Sequence, residues 1–104
     1  EWQADVVYPW NLSVQERFEF VMRDGALEGT ASFLGVPREI EQLEWRDGRL
    51  RFATRAETVS GNAPPRELEQ RYELWPEDET LRVRLSIHRS HSVDAPLEFL
   101  ARRP

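Results

Sequence analysis

His88 and His91 are the only histidines in the chain, and the His-x-x-His spacing could start a metal site. Zinc needs further ligands and an orienting outer shell, and Asp94 is the only acid close by in sequence. Strand alternation turns His88 outward. Two solvated loop histidines are the expectation, with a general base over the loops as the sharper alternative. Ser90 and Ser92 flank His91. A nucleophilic serine needs a histidine facing it, an orienting acid and an oxyanion hole, and the chain has no Gly-x-Ser-x-Gly elbow. Fourteen glutamates could in principle supply the carboxylate pair of a glycosidase, but only Glu16 and Glu41 are expected to face inward. Cysteine is absent, which removes thiolate chemistry and disulfides. Lysine is absent too, which removes Schiff bases. No catalytic residue, metal ligand or cofactor is assigned.

The elements that would position such groups are strands. Apolar residues recur with period two, as on the half-buried face of a sheet. Eight strands are predicted, over 1–8, 15–23, 26–34, 38–46, 49–58, 66–75, 80–88 and 95–103. Asp24-Gly25 and Asp47-Gly48 separate alternating runs, the strongest short-range signal for a two-residue hairpin. The first turn would pair Met22 with Leu27, Phe20 with Gly29 and Phe18 with Ala31. The second would pair Trp45 with Leu50 and Leu43 with Phe52. Ile40 and Leu43 break parity, so a bulge is predicted near Glu41-Gln42. A short helix competes only over Pro37 to Trp45.

Hairpin-sized connections make a meander. The expected fold is all-β, a single antiparallel up-and-down barrel of about eight strands forming one domain over 1–104. A two-sheet β-sandwich is the alternative. Loop parity gives the fold a polarity. Asp24-Gly25, Asp47-Gly48 and Pro76–Glu79 fall at one end, all tight. Pro9–Val14, Gly35–Pro37, Val59–Pro65 and Arg89–Asp94 fall at the other. Loops on a rigid scaffold and barrel mouths favour binding. The candidate ligand-binding residues at that mouth are Tyr8, Trp10, Phe33, Ile40, Leu68, Gln70, Tyr72 and Ile87. Eight strands enclose either a filled core or room for one small ligand.

Asp24-Gly25-Ala26-Leu27-Glu28-Gly29, Asp47-Gly48-Arg49-Leu50-Arg51-Phe52 and Pro96-Leu97-Glu98-Phe99-Leu100-Ala101-Arg102, after a first strand bearing Trp2, resemble the small lipocalin-like meander domains of bacterial proteins. Glu1 and Gln3 replace the glycine that normally flanks that tryptophan. The resemblance implies the fold and a periplasmic or secreted setting. It carries over no catalytic residue.

Composition narrows the partners. Hydrophobic residues are 39% and charged residues 32%, too apolar for disorder. Net charge is −5, which argues against nucleic acid. No apolar run is long enough for a membrane helix. The chain begins at Glu1 rather than Met, as either a mature form with its leader removed or an excised segment of a longer protein would. The outward faces of the fifth to seventh strands read Arg49, Arg51, Arg55; Glu67, Glu69, Arg71, Glu73; and Arg82, Arg84. This predicts a cross-strand ion ladder with Glu73 opposite Arg82. Val21, Trp75 and Leu100 would form a small outward apolar patch. Three functions follow: binding a small hydrophobic molecule at the mouth, serving as a structural or protein-interaction module with a filled interior, or acting as a cofactor-free barrel enzyme on a hydrophobic substrate.

Overall fold

Alternating side chains produce nine strands and, among the described residues, no helix. The computed structural model describes residues 1–58, 66–89 and 93–104. The strands are β1 Trp2–Val7, β2 Ser13–Arg23, β3 Ala26–Phe33, β4 Val36–Glu39, β5 Glu41–Arg46, β6 Arg49–Thr58, β7 Arg66–Glu77, β8 Thr80–His88 and β9 Leu97–Ala101.

The hairpins follow from turn chemistry. Asp24 and Gly25 have φ of 52° and 80°, and Asp47 and Gly48 have 53° and 73°. Consecutive positive φ values are what a type I′ turn demands. Met22, Phe20 and Phe18 face Leu27, Gly29 and Ala31, and Trp45 faces Leu50, as expected. Leu34-Gly35 forms a third such turn, at 54° and 80°, between Phe33 and Val36. It therefore lies one residue earlier than the predicted Gly35–Pro37. The expected bulge is present: Glu41 pairs with Ala53 but Glu44 with Arg51, and Gln42 sits at φ 55°. Between those two pairs Gln42 and Leu43 together stand opposite Phe52.

The strands form two antiparallel sheets, β1-β2-β3-β4 and β5-β6-β7-β8-β9, and not the single closed barrel. The two-sheet alternative fits better. The predicted strand 38–46 breaks at Ile40, whose N–H donates to the Gly29 carbonyl at 3.1 Å. The piece before the break stays with β3, and the piece after it pairs with β6. Pairing of β5 with β6 stops at Ala53, so among the described residues β6 beyond that point has no strand partner on that side. At the opposite corner Gln3 and Arg102 exchange two hydrogen bonds of 2.7 Å, a lone bridge between β1 and β9.

The core lies between the sheets. Phe18 is fully buried and meets Tyr72 edge-on at 5.7 Å, while Tyr72 stacks on Phe52 at 4.9 Å. Around them pack Val6, Leu74, Val83, Leu85 and Ile87, all buried. Each such side chain contributes about 1.5–3 kcal/mol of burial free energy. Two residues expected inside are not. Met22 is 69% and Trp45 67% exposed, because the two hairpin tips run past the facing sheet. The β7–β8 turn is Asp78-Glu79, which sets Glu73 opposite Arg84 and Trp75 opposite Arg82, correcting the predicted register by two residues. The supposed apolar patch divides as well. Val21 lies on the four-stranded sheet, whereas Trp75 and Leu100 lie on the other. Trp75 is also roofed by the Arg49 guanidinium at 4.1 Å.

Candidate functional site

Glu16 organises the loop-rich end. Parity puts its side chain inward beside Phe18, and it is 1% exposed. A buried carboxylate must be hydrogen-bonded to be tolerated. Glu16 accepts from the Tyr8 hydroxyl, from Ser32 Oγ at 2.8 Å, and from the backbone N–H groups of Leu34 at 2.7 Å and Gly35 at 2.8 Å. It thus ties β1, β3 and the β3–β4 turn to β2. Ser32 Oγ also accepts the Arg17 N–H at 2.8 Å. The hydroxyl stands in for a backbone acceptor just past Phe18 and Ala31, where the β2–β3 pairing ends. The Tyr72 hydroxyl donates to the Ser32 carbonyl at 3.5 Å, linking this corner to the five-stranded sheet.

The same pin fixes the first loop. Tyr8 N–H donates to Leu12 O at 2.9 Å, Asn11 N–H donates to Tyr8 O at 3.0 Å, and Asn11 adopts φ 62°. That closed loop lays Trp10 flat on Tyr8, with centroids 5.0 Å apart and planes at 14°. Phe33 meets the Tyr8 ring edge-on at 5.7 Å. Trp10 stays 44% exposed, and Val7, Leu12, Leu34 and Val36 are exposed around it. The stretches Val6–Val14 and Ala31–Pro37 contain no charged residue, in a chain that is 32% charged. Both meet at this tip, because one carboxylate holds them.

Burial raises the Tyr8 phenol well above its ordinary value, and the Glu16 carboxylate adds to the shift. Burial likewise raises Tyr72, with the Glu16 charge as the second cause. Both phenols are held neutral. They serve as donors and fillers, not bases.

The eight candidate residues divide. Tyr8, Trp10 and Phe33 come together at the tip. Leu68, Gln70, Tyr72 and Ile87 are buried on the inner face of the five-stranded sheet, and Ile40 is half-buried at the sheet junction. Thr54 Oγ1 donates to Gln70 Oε1 at 2.8 Å, while Gln70 Nε2 is sealed without a partner. None of the four described surface cavities collects the eight together; Tyr72 alone borders one of them. Ser32, Leu34 and Arg38 were not singled out by sequence. Only Arg38 left a signal, since it shares the parity of inward-facing Ile40.

The histidine and serine expectations fall mostly outside the described residues, which omit 90–92. His88 is half-buried at the end of β8, bridged to Val93. Among the described residues no cluster of three or more potential metal ligands occurs.

The five-stranded sheet carries the expected ladder in fuller form. Glu44, Arg51, Glu73, Arg84 and Glu98 lie opposite one another across all five strands, alternating in sign. Glu73 accepts from Arg49 and lies 2.9 Å from Arg51 Nε. A groove of about 630 Å³ runs over Ala53 and Ser86 beside this row. Exposed pairs of this kind contribute about 0–1 kcal/mol each. Within the groove Glu73 pairs with Arg51, while Glu44 and Arg71 pair with Arg46 and Glu69 beside it, as on a solvated charged face.

No family model, no curated protein and no solved structure matches the chain.

Proposed function

We propose that this chain is a non-enzymatic interaction module whose contact surface is the uncharged tip, and that its partner is an uncharged apolar segment of another polypeptide. The observation that carries this is Trp10, held rigid on Tyr8 by a hydrogen-bonded loop and still 44% exposed. A pre-organised aromatic loses little freedom on binding and makes an effective anchor. Charged side chains cover the five-stranded sheet's outer face and flank exposed Met22 and Trp45 in sequence, whereas none interrupts the two stretches that meet at the tip. The space between the sheets is taken up by side chains, which supports the module reading over a ligand held in a lumen. The lipocalin-like resemblance supports a scaffold whose loops do the binding.

The Tyr8–Trp10–Phe33 cluster favours a second reading, a small hydrophobic molecule at the same end. Selection from a displayed peptide library separates the two. Enriched peptides should be uncharged and aromatic or aliphatic, and their binding should be lost in Trp10→Ala and Leu34→Ser. Enrichment of charged peptides, or binding indifferent to Trp10→Ala, refutes the module reading. Saturable uptake of an apolar dye with no peptide enrichment moves the assignment to the small molecule.

A further inference from the structure

The gap between β4 and β6 contains Arg38, which has no ion pair among the described residues. Arg38 lies directly opposite fully buried Ala31. Directly paired residues share a face, so an arginine side chain starts out toward the interior. Its Nε is sealed from solvent and has no hydrogen-bond partner. A sealed donor without a partner carries its desolvation cost uncompensated. In front of it is a cavity of about 400 Å³, lined by Arg38, Arg55, Ala56 and Glu67. Arg55 is already engaged, 2.9 Å from Glu41 and 2.9 Å from Glu67.

We propose that this notch binds a small monocarboxylate, its two oxygens on the Arg38 fork and a short apolar tail over Ala56. A guanidinium matches a planar carboxylate through two parallel N–H bonds, which an ammonium cannot do. Arg55 is shared by Glu41 and Glu67, so these three sum to one negative charge and Arg38 brings the group to neutrality, which tolerates a monoanion on the Arg38 fork better than a dianion. A dianion such as phosphate meets Glu67 at the rim and a chain of net charge −5. Trp10 takes no part, so this site and the tip stand or fall separately.

The test is titration with hexanoate, followed by proton–nitrogen NMR of the backbone amides of Arg55, Ala56 and residue 67, which every variant keeps, with phosphate as the competing probe. These resonances should shift saturably in the parent protein. The saturation should vanish in Arg38→Gln and weaken about tenfold in Arg38→Lys, which keeps the charge and loses the fork. Glu67→Gln, at an exposed rim position, should tighten binding several-fold by removing a repelling charge. Trp10→Ala should leave it unchanged. Absence of saturation, a shift that persists in Arg38→Gln, or phosphate binding as well as hexanoate overturns the proposal. Should Arg38→Gln not fold, the Glu67→Gln response and the hexanoate–phosphate ranking still decide. Aggregation of Arg38→Gln with no carboxylate binding in the parent would instead make Arg38 a guard against edge pairing.

Discussion

Replacing Glu16 with glutamine removes a charge and swaps one acceptor oxygen for an N–H₂ donor. Oε1 serves Ser32 and Gly35, and Oε2 serves Tyr8 and Leu34. With the amide nitrogen at the Oε2 position, the Tyr8 hydroxyl can rotate to accept from it. The Leu34 N–H cannot turn away and is left facing a donor. A buried donor without an acceptor costs about 1–3 kcal/mol, and the bonds that remain lose their charge assistance. The expected loss is about 2–4 kcal/mol, against a total stability on the order of 5–15 kcal/mol for a domain of this kind. Urea denaturation of Glu16→Gln beside Glu28→Gln, an exposed control, measures it. The midpoint should fall with the slope unchanged. A loss below about 0.5 kcal/mol, the range of ordinary surface substitutions, would refute the view that this carboxylate pins the tip. A double-mutant cycle with Tyr8→Phe should return a coupling of about 0.5–3 kcal/mol, because the two groups share a bond.

Gly29→Ala should destabilise by about 1–3 kcal/mol, since an added Cβ would collide with the Glu19 carbonyl oxygen on the neighbouring strand; chemical denaturation checks it. Phe52→Ala should cost about 3–5 kcal/mol and Trp45→Ser less than about 0.5 kcal/mol, a contrast in thermal midpoints that tests whether the hairpin tip overhangs the core. Tyr8 and Tyr72 are raised above the ordinary phenol value of 10.0 in the fold. Stability from keeping them neutral is therefore complete below that pH and lost as pH rises above it. Unfolding and phenolate absorbance should appear together on the alkaline side, and Tyr8→Phe should move the transition to higher pH.

Period-two patterning made the strands legible, and the Asp-Gly pairs made two registers legible to the residue. Patterning says which side of a strand a residue faces. It does not say how far the opposite sheet extends, so Met22 and Trp45 read as core and stand in solvent. Closure was illegible for a similar reason. The break at Ile40 depends on a backbone carbonyl, that of Gly29, and no side chain announces it. Glu16 could be read as an inward carboxylate from parity alone. Its partners could not, because two of them are backbone N–H groups of Leu34 and Gly35, available only once that turn has formed. Tyr8, Trp10 and Phe33 were legible as neighbours through loop parity. Arg38 passed unnoticed because a charged residue on an inward face looks like an error in the alternation.

The bridge between Gln3 and Arg102 has a practical consequence. Together with the Arg103 guanidinium lying 5.1 Å from the Trp2 ring, it brings both ends of the chain to one spot, at the pole away from Trp10. Anything attached to either terminus, whether a carrier protein, an affinity handle or a sensor surface, hangs from that pole. The molecule is then presented like a bulb in a socket, with its hydrophobic cap pointing outward and unobstructed.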